Sequence, residues 1–234
     1  GIDLRALEMT KWFDTNYHYL VPELEAGQRF ALRGDKPVAE YLEAKALGID
    51  TRPVLIGPVT FLWLAKTVDD SDRFALLEHL LPAYAQLLEK LHIAGAQWVQ
   101  IDEPALVLDL PEASRAAFRK AYAALADGAR PKLLLAGYFG GLGDNLELAA
   151  SLPVDGLHVD LVRAPEELET VLATLPDDRV LSAGLVDGRN IWRTRLDNAL
   201  LLARYARTRL GDERLWLAPS CSLLHVPVDL DGEK

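Results

Sequence analysis

Short apolar segments alternate with longer helical patterns along this chain, and that alternation constrains the fold more than any single motif. Strands are expected at roughly Tyr17–Val21, Pro53–Ile56, Trp98–Ile101, Lys132–Tyr138, Gly156–Leu161, Val180–Leu185 and Leu215–Pro219. Several are nearly continuous apolar runs, the pattern of parallel strands covered on both faces. Helical patterns fall between them at Val38–Leu47, Arg73–Ala94, Glu112–Ala126, Asn145–Ser151, Glu166–Leu175 and Asp197–Leu210. In the long second pattern Phe74, Leu77, Leu81, Tyr84, Leu88 and Leu91 recur at three- and four-residue steps. Asp69, Asp70, Ser71 and Asp72 supply an N-cap cluster before it, and Gly48 and Gly211 stand where helices should stop. Such alternation predicts a parallel sheet with right-handed crossovers. Polar or special residues follow almost every strand, so a closed (β/α)8 TIM-type barrel fits better than an open sheet. Seven strands are legible where the closed form needs eight, so the first strand is expected to be lacking.

Length and composition agree with a single barrel domain over residues 1–234, half of them hydrophobic. A net charge of −10, from 25 basic and 35 acidic residues, argues against nucleic acid or an anionic membrane as partner. Cys221 is the one cysteine, so no internal disulfide forms and a reducing, cytoplasmic setting is expected. No apolar run approaches the ~20 residues of a membrane span, and the N-terminus lacks the order of a signal peptide.

Candidate chemistry clusters at the strand ends, where α/β folds present their ligand crevice. Trp98-Val-Gln-Ile-Asp-Glu-Pro runs an apolar strand into Asp102 and Glu103, with Pro104 ending the pairing. Because a strand alternates its faces, the two carboxylates should point apart. Each could serve as acid, base or amine anchor, or simply cap backbone groups or pair with a barrel arginine. Lys11, between Glu8-Met-Thr and Trp12-Phe13, is a compact cation for carboxylates beside apolar walls, or else a solvated lysine near a core aromatic pair. Asn16 and His18 should share one face, Tyr17 and Tyr19 the other.

Gly57-Pro58 marks a turn, and Thr60 could cap the segment after it; the glycine spacing of a phosphate loop is lacking. His158 and Asp160 share a strand face, and with Cys221 and His225 they form a conceivable metal set. The tight ligand spacings that make such a reading specific are missing, and hydrogen-bonded barrel groups with a small buried thiol explain the same residues. His79 and His92 fall in the long helical pattern, as ordinary surface or interhelical residues. After Gly184 and Gly188, Arg189 could bind a carboxylate or neutralise Asp102 or Asp160 across the barrel mouth.

Together the strings Glu8-Met-Thr-Lys-Trp-Phe-Asp-Thr-Asn-Tyr-His-Tyr, Gly57-Pro-Val-Thr, Trp98-Val-Gln-Ile-Asp-Glu-Pro-Ala-Leu, Gly156-Leu-His-Val-Asp-Leu, Ala183-Gly-Leu-Val-Asp-Gly-Arg-Asn-Ile-Trp and Ser220-Cys-Ser-Leu-Leu-His closely resemble the N-terminal domain of cobalamin-independent methionine synthase. The resemblance covers essentially the whole chain. It implies a methyltransferase that moves a methyl group from 5-methyltetrahydropteroyl-polyglutamate to homocysteine, built from two face-to-face barrels. It puts the catalytic zinc and homocysteine in a C-terminal barrel absent here. Laid over that barrel's zinc pattern, this chain has Leu135 and Gly137 at a His-x-Cys pair, Asp160 at a Glu and Cys221 at the last Cys. No metal or other cofactor is therefore expected here. Asp102 falls where the catalytic barrel uses an acid for homocysteine. The resemblance associates Lys11 with the glutamate tail of the folate. The family's other tail contacts lie in an Arg/Lys-rich segment after its first strand, which this chain lacks; the same gap accounts for the missing strand.

The expected role is thus scaffold and folate-tail platform, partnered by the C-terminal catalytic barrel and inactive alone. Two other readings stay open. One is a self-sufficient barrel enzyme of decarboxylase type using Asp102, Glu103, Asp160 and Arg189. The other is a non-catalytic interaction module. An open barrel edge would also invite a dimer.

Overall fold

A computed structural model describes residues 6–229 and 231. The chain begins with β1 (Met9–Lys11), β2 (His18–Leu20), β3 (Glu23–Leu24), α1 (Lys36–Ala46), β4 (Val54–Ile56), α2 (Pro58–Leu64) and β5 (Lys66–Thr67). It continues with α3 (Leu77–Ile93), β6 (Trp98–Asp102), α4 (Glu112–Ala126), β7 (Lys132–Ala136), α5 (Leu146–Ser151) and β8 (Gly156–Asp160). Last come α6 (Leu168–Thr174), β9 (Val180–Val186), α7 (Leu196–Leu210) and β10 (Leu215–Pro219).

The main sheet has six strands, all parallel, in the order β10-β9-β8-β7-β6-β4. Each new strand adds beside the one before it, so the order never reverses as it does in a doubly wound sheet. The sheet also curls. Trp98 on β6 and Trp216 on β10 have ring centroids 4.6 Å apart although three strands lie between them. Four strand intervals of a flat sheet would separate them by roughly 19 Å. Arg52, just before β4, lies 5.5 Å from the same Trp216 ring.

The expected count of seven strands is corrected to six among the described residues. The segment read as the first strand, Tyr17–Val21, contains β2, which pairs antiparallel with β1 in a hairpin outside the sheet. Alternation of apolar and polar residues marks a strand but not its partner, and here the partner is local. The other six strands fall where expected to within two residues.

Alternation along the strands sorts side chains into two layers. Val99, Ile101, Leu133, Leu135, Leu157, Val159, Leu181 and Ala183 join the helices in one large core. Ala136, Tyr138 and Cys221 form a small separate cluster on the concave side. Helix α3 contributes Leu77, Leu80, Leu81, Leu87, Leu88 and Leu91 as its buried stripe. It is preceded by a 3-10 turn, Arg73–Leu76, in which Asp72 caps by accepting from the Phe74 amide at 2.9 Å.

Helix α2 is a departure from expectation, since Pro-Val-Thr-Phe-Leu-Trp-Leu carries β-branched and aromatic residues that favour strands. Thr60 does not cap it; Gly57 holds the N-cap position and Pro58 the first turn. The amides of Val59 and Thr60 donate instead to Glu103, at 3.2 and 2.6 Å. A carboxylate from another strand thus satisfies the helix's free donors.

Candidate functional site

A cavity of about 610 Å³ opens where the sheet is incomplete, between the edges of β4 and β10 and beneath the β1–β2 hairpin. Arg52, Val54 and Ile56 line one side, Ala218 and Pro219 the other, and Gln100, Asp102, Tyr138 and His158 the floor. Trp12, Tyr17, His18 and Tyr19 come from the hairpin, and His225 from the loop after β10.

Asp102 is the candidate acid that faces this cavity. It accepts from Gln100 Nε2 at 2.7 Å and from the Tyr138 hydroxyl at 3.0 Å. Arg52 Nη2 donates to Gln100 Oε1 at 3.0 Å, completing a chain Arg52–Gln100–Asp102–Tyr138 that runs from the segment before β4, through β6, to the residue pair after β7. Burial raises the Asp102 pKa to about 6, against the stabilising bonds from Gln100 and Tyr138. Arg52, Gln100 and Tyr138 are not legible as site residues in sequence. Gln100 could have been found by its position two residues from Asp102, on the same strand face.

Glu103 points the opposite way, as strand alternation requires. It is fully buried behind the sheet, where it also accepts from the Tyr122 hydroxyl at 3.2 Å. Burial pushes its pKa up to about 7. Gly57 exists for it: a Cβ there would lie 2.0 Å from Glu103 Cδ. Of the alternatives open in sequence, backbone capping describes Glu103.

Asp160 is also turned onto backbone. Its oxygens accept from the amides of Phe139 (3.1 Å), Val162 (3.1 Å) and Arg163 (2.9 Å). Burial still raises its pKa. Arg189 neutralises neither Asp102 nor Asp160. It pairs with Asp14 at the hairpin tip at 2.6 Å and stacks over the Phe139 ring at 4.9 Å. The reason is reach: Asp102 is already held by its own neighbours, and the hairpin brings Asp14 over the sheet. The four residues of the decarboxylase-type reading therefore do not converge.

The conceivable metal set is engaged elsewhere too. Buried His158 contacts Ser182 Oγ through Nδ1 at 3.0 Å and the Ser220 carbonyl through Nε2 at 3.1 Å. A carbonyl only accepts, so Nε2 carries the proton and Nδ1 accepts from the serine. Burial lowers this histidine's pKa to about 4, keeping it neutral. Burial raises the Cys221 thiol to about 11. His225 packs edge-on between Tyr17 and Phe139, with ring centroids at 5.0 and 5.7 Å. Leu135 lies in the core behind the sheet, and a Cβ on Gly137 would meet Leu142, Leu106 and Val107. Neither position offers a donor, so these residues do not fit a tetrahedral zinc site. Among the described residues no three His, Cys, Asp or Glu side chains are grouped to hold a metal ion.

Lys11 sits at the end of β1, exposed, directly opposite His18 of β2. Residues opposite one another in an antiparallel pair share a face, and His18 lines the cavity rim. Among the described residues Lys11 has no carboxylate partner within ion-pair distance. His79 Nδ1 contacts the Gln28 carbonyl at 2.8 Å, tying α3 to the loop between β3 and α1 rather than to another helix. No helix of the described residues is long and apolar enough to cross a membrane.

Residues 1–210 match the family model described as cobalamin-independent synthase, N-terminal domain. The chain is 72% identical over all 234 residues to a 5-methyltetrahydropteroyltriglutamate–homocysteine methyltransferase of Xylella fastidiosa (strain 9a5c), of which it covers 31%. It is 62% identical over its full length to the enzyme of that name from Chelativorans sp. (strain BNC1), covering 30% of it. The chain thus spans about a third of the length of these relatives. Among solved structures, a B12-independent methionine synthase from Shewanella sp. W3-18-1 superposes with a TM-score of 0.72 at 16% identity. That match covers 95% of this chain and 69% of that one. A methyltransferase from Methanosarcina mazei gives 0.64 at 16% identity, over 93% of this chain and 70% of that one. At such identities the superpositions speak for the fold alone.

Proposed function

Because this chain belongs to the family of N-terminal domains of cobalamin-independent synthases, we propose that it is the scaffold and folate-tail barrel of a methyltransferase. The parent protein would move a methyl group from 5-methyltetrahydropteroyl-polyglutamate to homocysteine, making methionine in the cytoplasm. The chemistry and its zinc belong to a C-terminal barrel outside this chain, and this domain has no activity by itself. The engagement of Glu103, Asp160, His158 and Arg189 in structural contacts supports that division of labour. The six curled strands are read as part of an eight-stranded barrel, with the remaining strands filling the space between β4 and β10.

The observation that carries the binding role is Lys11, an exposed cation without a carboxylate partner among the described residues, paired across the hairpin with His18, which lines the cavity. A polyglutamate tail is a run of carboxylates. In a protein with a net charge of −10, its reception needs a local cation. In the full-length protein, Lys11→Ala should weaken triglutamylated folate by about 1 kcal/mol and monoglutamylated folate much less. The difference should shrink as salt rises. Equal losses for both folates would defeat the assignment, and an unfolded variant would make Lys11 a structural residue.

A further inference from the structure

Lys11 lies on a hairpin that is stiff within itself but held to the sheet at few points. Its turn is closed by Trp12 N donating to the Tyr17 carbonyl at 2.7 Å and by the Thr15 hydroxyl donating to the Trp12 carbonyl at 2.7 Å. Phe13 occupies the left-handed region at φ 51, a conformation a bulky residue adopts only when its surroundings hold it. Such a hairpin moves as a unit, so a grip on its tip sets the position of Lys11, which pairs with His18 right beside the turn.

That grip is Arg189. Its Nη1 pairs with Asp14 Oδ1 at 2.6 Å and its Nη2 donates to the Asp14 main-chain carbonyl at 2.9 Å. Its side chain is only 15% exposed, although Asp14 is 68% exposed. The guanidinium lies over Phe139, whose own φ is 77 and whose amide is fixed by Asp160. Phe139 in turn meets Phe13 of the hairpin at 6.0 Å between centroids. Arg189 therefore joins the hairpin tip to the ends of β7 and β8. Other anchors are lateral: Tyr17 Oη donates to the Leu224 carbonyl at 2.6 Å and its ring meets His225, Tyr19 Oη donates to the Leu64 carbonyl at 3.4 Å, and Glu8 pairs with Lys66.

We propose that Arg189 is a positioning residue for folate-tail recognition, latching the hairpin through Asp14 so that Lys11 is held beside His18 at the cavity. This rests on the reading of Lys11 given above. The contacts differ in how much each variant removes. Arg189→Ala removes both bonds to Asp14 and the stacking on Phe139, whereas Asp14→Ala removes only the carboxylate bond and keeps the main-chain one. Arg189→Lys keeps the charge and loses the two-pronged contact.

The test uses the full-length protein with these three variants and Lys11→Ala. Hydrogen exchange is read at the amides of residues 9–20, and the ratio of KM for mono- and triglutamylated folate is measured. Arg189→Ala should speed hairpin exchange by roughly tenfold through local opening, with the amides of β7 to β9 unchanged as a check on folding. It should also reduce the preference for triglutamate several-fold, with Asp14→Ala and Arg189→Lys in between. Unchanged hairpin exchange would overturn the latch. Faster exchange with the triglutamate preference intact, while Lys11→Ala abolishes it, would overturn the positioning role. If Lys11→Ala itself keeps the wild-type preference, the tail reading fails and this proposal falls with it. That failure is recognised by the Lys11 variant alone.

Discussion

Glu103→Gln should invert its effect on stability as the pH rises. Glu103 is fully buried and accepts from two helix amides and a tyrosine hydroxyl, yet desolvation carries its pKa from 4.5 to about 7. The folded state therefore keeps a proton that the unfolded state has released between about pH 4.5 and 7. Wherever the folded state binds more protons, stability falls as pH rises. The slope is about 1.4 kcal/mol per pH unit, for a total on the order of 3 kcal/mol above pH 7. Glutamine does not titrate, so the variant lacks this loss. It does turn an amide NH2 toward the Val59 or Thr60 amide, leaving a buried donor unsatisfied at a cost of about 1–3 kcal/mol. Wild type should thus be the more stable at pH 5, with the gap closing or reversing by pH 8. Urea unfolding followed by tryptophan fluorescence at pH 5, 6, 7 and 8 reads this directly, provided the m-value is unchanged. The raised pKa of Asp102 tilts both proteins alike and cancels in the difference. A gap constant with pH would refute the reasoning. A gap that widens with pH would show that the helix amides outweigh desolvation.

Gly57→Ala should cost more than about 3 kcal/mol, because its Cβ would fall 2.0 Å from the buried Glu103 Cδ with no room to retreat; a thermal melt matching wild type would disprove the contact. Elemental analysis of the chelator-free 234-residue chain should find no stoichiometric zinc, since Leu135 and Gly137 offer no donors; near one zinc per chain would contradict the site geometry. Produced alone, this chain should associate through the edges of β4 and β10, where Val54, Ile56 and Leu217 are 54%, 47% and 64% exposed. Leu217→Lys should weaken that association in sedimentation velocity, and a wild type monomeric at every concentration would rule it out.

Much of the parallel sheet is written in local pattern. The apolar runs of β4 and β6 to β10, the leucine stripe of α3 and the stop glycines Gly48 and Gly211, with φ of 75 and 74, are each decided by residues within a few positions of one another. The same holds for the divergence of Asp102 and Glu103, which comes from strand alternation alone. Tertiary structure decided what depends on partners distant in sequence. It sent β2 to a hairpin rather than the sheet, because pairing is a property of two strands and the alternation of one is silent about it. It made Pro58–Leu64 a helix against its propensity, through a carboxylate 43 residues away from Thr60. It gave Arg189 to Asp14, 175 residues distant, rather than to Asp102 or Asp160. Pattern reads the period of each element; charge pairing and desolvation act through space, and only the folded chain sets those distances.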